Sequence, residues 1–203
     1  MSQKINFKIF LIILMTIFVM IFVYFKLNYN DMTYVISNID NEPYLVRNSI
    51  DKQNASNTLA KLKQNFIKLS NYLFDNQKEY PDYAIYINHL HNRVNDIILV
   101  ESTQDSIYTS YSINKGEQIV FCLRSRKILN ELHDINLMMY VCLHEISHVA
   151  SPYYEHEYGN HGPIFKKIFK FILEIAEKIG IYQKINFRDN PIEYCGLTIS
   201  DSI

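Results

Sequence analysis

His144-Glu145-Ile146-Ser147-His148, set inside the apolar stretch from Ile135 to Ala150, decides how this chain is read. Leu137, Met138, Val141, Cys142 and Val149 recur around it at helical spacing, which predicts a helix over 135–150. Residues four apart stand one turn apart on the same helix face, so both imidazoles can reach a single metal ion. Glu145, one residue along, is angled towards a water on that ion rather than towards the ion. Zinc lowers the pKa of such a water towards 7, and a carboxylate placed there can accept its proton and pass it to a leaving amine. The apolar flanks suit a buried catalytic helix. The bland alternative makes both histidines ordinary helix-surface residues.

Catalytic zinc usually takes three protein ligands and keeps one position for water. His161 is the candidate third ligand, because it follows a loop over 151–161 and directly precedes Gly162-Pro163, where proline suits the first turn of a helix that Gly180 closes. His156 is nearer in sequence and is flanked by Glu155 and Glu157; Glu174 and Glu177 would serve a glutamate-ligand arrangement. The longer pattern H-E-x-x-H-x-x-G-x-x-H is excluded, because Tyr154 stands where its third histidine would be.

The N-terminus carries a different signal. Ile9 to Phe25 is apolar apart from Thr16, with Lys4 and Lys8 before it and Lys26 after it. A membrane span needs about 17–25 such residues. A cleaved signal peptide would have a shorter apolar core ending at small residues, and Tyr24-Phe25-Lys26-Leu27-Asn28-Tyr29 offers none. Residues 1–26 therefore read as an uncleaved single-pass anchor. The lysines ahead of it place the N-terminus in the cytoplasm.

Residues 27–53 are polar and mixed and read as a stalk, leaving 54–203 as one domain. Leu59, Leu62, Phe66, Leu69 and Leu73 predict an amphipathic helix with Asn54 or Ser56 as cap. Pro81-Asp82 opens a second helix with Tyr83, Tyr86, Ile87, Leu90 and Val94 on one side. Ile97–Val100, Tyr108–Ile113 and Gln118–Leu123 have strand character, the last two joined by the turn Asn114-Lys115-Gly116-Glu117 as a hairpin. With 20 basic and 21 acidic residues among 203 and no long basic block, composition gives no support for nucleic-acid binding. Cys122, Cys142 and Cys195 form no C-x-x-C pair and read as buried structural cysteines.

The motif at 144–148, followed by Asn160-His161-Gly162-Pro163-Ile164-Phe165, resembles the small zincins of the SprT-like and WLM type. In these a short loop after H-E-x-x-H leads to a histidine closely followed by an aromatic at the start of the next helix. From about Tyr44 onward the chain is more similar still to a group of metallopeptidases found in large DNA viruses and some other microbes. Tyr108–Glu117, Ile119–Arg124 and Asn190–Gly196 carry that likeness. The resemblance implies an α+β zincin-like domain with zinc on His144, His148 and His161. Together with the residue chemistry it gives the expectation of a membrane-anchored zinc metallopeptidase acting on protein or peptide substrates, with Glu145 as general base. Tyr194 or Tyr158 would be the oxyanion donor, with buried packing as the plainer role of either ring. The alternative is a non-catalytic membrane protein with a closed structural zinc site, His156 supplying the fourth ligand.

Overall fold

The structure, a computed structural model, describes residues 2–28, 31–114, 116–128, 131–151 and 161–200. The chain opens with an apolar helix, α1 (Ser2–Asn28), then strands β1 (Met32–Ile36) and β2 (Pro43–Arg47) and helices α2 (Lys52–Asp75) and α3 (Ala84–His91). Strands β3 (Ile98–Glu101), β4 (Tyr111–Ile113) and β5 (Gln118–Phe121) follow, then helices α4 (Ile135–Ala150) and α5 (Pro163–Lys178) and a hairpin of β6 (Ile192–Tyr194) and β7 (Leu197–Ile199). Five strands form one sheet in the order β1-β2-β3-β5-β4, antiparallel at both edges and parallel between β2, β3 and β5. Parallel neighbours cannot be joined by a tight turn, so the chain passes from β2 to β3 through α2 and α3, and α2 packs across β1, β2 and β3. This is the expected single α+β domain behind an apolar N-terminal helix.

The core follows from the helix patterns. Leu59, Leu62, Phe66, Leu69 and Leu73 are all buried along α2. Helix α5 buries Phe165, Ile168, Phe169, Ile172 and Ile175 and leaves its lysines outside. Between α5 on one side and α2 and α3 on the other lies α4, buried at every position from Leu137 to Ala150 except His144 and His148. Asp134 caps α4 by accepting the N–H groups of Asn136 and Leu137, at 2.8 and 3.3 Å.

Several expectations give way here. The stretch 27–53 is not simply a stalk, because β1 and β2 lie within it and β2 is an inner strand with Tyr44 and Val46 buried. Helix α2 starts at Lys52, ahead of both expected caps: Asn54 is helical, and the buried Ser56 hydroxyl donates to the Val35 carbonyl at 3.0 Å. Asp51, at the cap position, makes no capping bond because its carboxylate is held by Arg124. Pro81 begins a 3-10 turn, and the α-helix proper is only α3. The strand expected from Tyr108 begins at Tyr111, since Arg126 takes the carbonyls of Ser106 and Tyr108 that a longer ladder would need. Cys122 and Cys195 form a disulfide across 73 residues of chain, while Cys142 is free and buried.

A charged cluster pins the sheet to the start of α2. Arg124 is 1 % exposed and pairs with Glu101 on β3 at 2.7 Å and with Asp51 at 2.6 Å. The other carboxylate oxygen of Glu101 accepts the Arg47 backbone N–H at 2.7 Å, so the buried ion pair also registers β2.

Candidate metal centre

His144 and His148 occupy successive turns of α4 on its one open stripe, and His161 approaches them from the residue before Gly162, the N-cap of α5. Their Nε2 atoms stand 3.3 Å apart for 144–148, 3.2 Å for 148–161 and 3.0 Å for 144–161. Three imidazole nitrogens at about 2.0–2.1 Å from a tetrahedral zinc would be about 3.3 Å apart, so the triangle is of the size such an ion would need, and no fourth ligand joins it among the described residues.

The triangle is also frustrated without a cation. Each neutral imidazole nitrogen is either a donor or an acceptor, and in a ring of three at least one adjacent pair must be of the same kind. Protonation offers no escape, because burial and neighbouring charges disfavour it. Burial, then the neighbouring histidines, pushes His144 down to about 3. Burial and His161 push His148 down to about 4, and burial and Lys166 lower His161. Neutral rings with converging lone pairs are what a metal ligand set needs. The aromatic wall behind them is Phe165, stacked on His148 at 4.2 Å and edge-on to His144 and His161 at 4.9 Å, with Phe169 5.2 Å from His144. These three histidines form a cluster that could hold a metal ion.

Glu145 is 5 % exposed, and burial pushes its carboxyl up to about 7. Tyr194 is buried in β6, its hydroxyl against the Ser110 hydroxyl, which in turn accepts the Cys122 N–H at 3.3 Å. Burial raises the Tyr194 phenol, and the charge of Glu145 adds to the shift. Glu174 and Glu177 face solvent on α5 and do not join the cluster. His156 and its neighbours Tyr154, Glu155, Glu157 and Tyr158 lie outside the described residues. Sequence reasoning did not find Ser110 or the disulfide that ties Cys195, next to Tyr194, to Cys122 at the end of β5; no spacing rule links positions so far apart.

No protein-family model matches the chain. Uncharacterized protein R325 of Acanthamoeba polyphaga mimivirus is 39% identical over 191 residues, 94% of each chain. Uncharacterized protein 136R of Invertebrate iridescent virus 6 is 37% identical over 76 residues, 37% of this chain and 39% of that one. Among solved structures, Wss1 from Saccharomyces cerevisiae is similar at a TM-score of 0.44 and 16% identity, covering 67% of this chain and 88% of that one. The fold and site thus define a single α+β domain with an apolar N-terminal helix and a three-histidine cluster. The chain belongs to the family of the mimivirus protein R325, and both viral relatives accord with the likeness to proteins of large DNA viruses.

Proposed function

We propose that the chain is a membrane-anchored zinc metallopeptidase that hydrolyses peptide bonds of protein substrates. One observation carries the reading: three neutral imidazole nitrogens meet in a triangle of tetrahedral zinc dimensions, beside a buried carboxyl one residue from the first ligand. His144, His148 and His161 would hold the ion. Zinc, when bound, supplies a Lewis acid that polarises the scissile carbonyl and acidifies a water molecule. Glu145 accepts the proton of the attacking water and returns it to the departing amine; a carboxyl poised near neutrality suits both halves of that transfer. Tyr194, kept protonated by burial, would donate to the oxyanion in exchange for its bond to Ser110. The Phe7–Lys26 window of α1 is long and apolar enough to cross a bilayer, and we read it as the anchor. A disulfide suits an oxidising compartment, which agrees with a cytoplasmic N-terminus and a catalytic domain on the far side.

The test is zinc content and hydrolysis of a peptide mixture by the full chain in detergent, wild type beside Glu145→Gln. Zinc should be retained in both, and hydrolysis should fall about 10²–10⁴-fold in the variant. Wild-type turnover by Glu145→Gln would overturn the mechanism. Stoichiometric zinc with no turnover by the wild type would favour the structural-zinc alternative.

A further inference from the structure

The sheet has two unlike faces. One is covered by α2 and carries Tyr44, Val46, Leu99, Ile119 and Phe121, all buried. On the other face the edge strand β1 presents Tyr34 and Ile36, 71% and 63% exposed, with Ile98 of β3 exposed on the same side. Between them on β2, Pro43 is exposed and Leu45 half-buried, while Val100 and Val120 further along this face are covered; an exposed sheet face is ordinarily polar, and an apolar stretch on one marks a contact surface. Ile50, at the end of β1 nearest α1, is also fully exposed. It is two residues beyond Asn48, whose N–H donates to the Asp31 carbonyl at 2.8 Å.

Where the chain leaves α1 says what covers this patch. Asp31 is three residues beyond the last residue of α1, Asn28, a reach of at most about 11 Å. The headgroup layer on each side of a bilayer is about 5–8 Å thick. The strand bearing Tyr34 and Ile36 therefore starts within a short tether of the lipid surface. Tyrosine and isoleucine suit that boundary, where rings and aliphatic groups leave water while the phenol stays wet. Asp40 and Glu42 stand in the β1–β2 turn, while the nearby cations Arg47 and Lys52 are engaged, Arg47 by Glu101 and the Ser102 and Thr103 carbonyls and Lys52 by Asn48, so the attraction is mainly apolar rather than directed to anionic lipid.

We infer that the outer face of β1, with Ile50 beside it, rests on the surface of a zwitterionic bilayer next to the anchor. This rests on reading α1 as a membrane span, and it would fix how the domain stands over the membrane.

The chain contains no tryptophan, so single substitutions give clean fluorescent reporters. Full-length Ile50→Trp, Ile36→Trp, Phe22→Trp in the anchor and Leu197→Trp on the hairpin beside the opposite edge of the sheet are reconstituted in phosphatidylcholine vesicles with and without brominated acyl chains. Emission from Phe22→Trp, Ile50→Trp and Ile36→Trp should shift to the blue and be quenched by bromine; Leu197→Trp should show neither. Quenching at Phe22→Trp but not at Ile36→Trp overturns the inference and leaves the anchor standing, including when Ile50→Trp alone responds through nearness to the tether. An unquenched Phe22→Trp refutes the anchor, and the inference falls with it. A blue shift at Ile36→Trp that depends on protein density and ignores bromine assigns the face to a second copy of the chain, which also overturns it.

Discussion

Gly116 offers a strong test of how the sheet supports helix α4, which carries His144 and His148. It sits in the β4–β5 turn with φ +102°, and a β-carbon built there overlaps Val149 Cγ2 and lies 3.1 and 3.3 Å from Val149 Cγ1 and Cβ. Val149 follows His148 on α4, is fully buried, and its carbonyl is bonded by His89 Nδ1 at 2.8 Å. A β-branched side chain in a helix has essentially one rotamer, so the methyl groups cannot swing aside and the backbone must move. Gly116→Ala should therefore incur backbone strain of about 1–3 kcal/mol and an overpacking cost of about 1–3 kcal/mol. A domain of this size loses roughly 2–4 °C of Tm for each kcal/mol, so thermal unfolding in detergent should show a drop of about 5–20 °C. The double variant with Val149→Ala removes the overlap with the methyl groups, leaving only the 3.3 Å contact with Cβ, and keeps the strain, so the two effects should fall short of additive by about 1–3 kcal/mol. Because the push reaches the last turn of α4, zinc affinity should weaken in Gly116→Ala and recover in the double variant. Stability within about 0.5 kcal/mol of wild type, the range of a neutral surface change, would refute the close approach, as would strict additivity in the cycle.

Three further outcomes are expected. His161→Ala should strip most of the zinc in an elemental assay while His156→Ala keeps it; the reverse would assign the third ligand to the loop. Replacing both Cys122 and Cys195 by Ser should lower unfolding free energy by about 4 kcal/mol, from the loop of 73 residues that the disulfide closes, and an unchanged denaturation midpoint would argue against the pairing. Arg124→Met should cost about 3–5 kcal/mol by leaving the buried Glu101 with only the Arg47 guanidinium, 3.7 Å away, in place of its 2.7 Å partner, measured by chemical denaturation, and a cost below that of an ordinary surface change would mean that Arg47 or water satisfies the carboxylate.

What could be read from the sequence follows from the range of the interactions involved. Helix α4 was placed residue for residue because its signal is local: a periodic apolar stretch with two ligand types one turn apart. His161 was also in reach, since Gly162-Pro163 fixes a helix start and so the position of the residue ahead of it. Strands β1 and β2 were missed although their residues announce them: Met32–Ile36 and Pro43–Arg47 are aromatic and β-branched runs around a turn in which Asn41 takes a positive φ of 61°. Short strands among polar residues resemble a stalk until their pairing partners are known, and the partner of β2 on its inner side is β3, whose Val100 pairs with Leu45. That parallel pairing is long-range and leaves no local trace.

The C-terminal hairpin shows why a site can be half legible. Tyr194 could be singled out from its segment, yet nothing local says that its hydroxyl meets Ser110 or that Cys195 beside it is fastened to Cys122. Two strands of three residues each are marginal as an isolated hairpin, so Tyr194 needs an external tie to hold a fixed position. The disulfide supplies it, and Ser110 and the Cys122 N–H complete a chain of contacts from the hairpin to the end of β5. The three clustered histidines, by contrast, are held by helix geometry and by packing of α4 against α5. The histidine cluster should thus survive loss of the disulfide while the placement of Tyr194 does not, so on the proposed function the double Cys→Ser variant should keep its zinc and lose turnover.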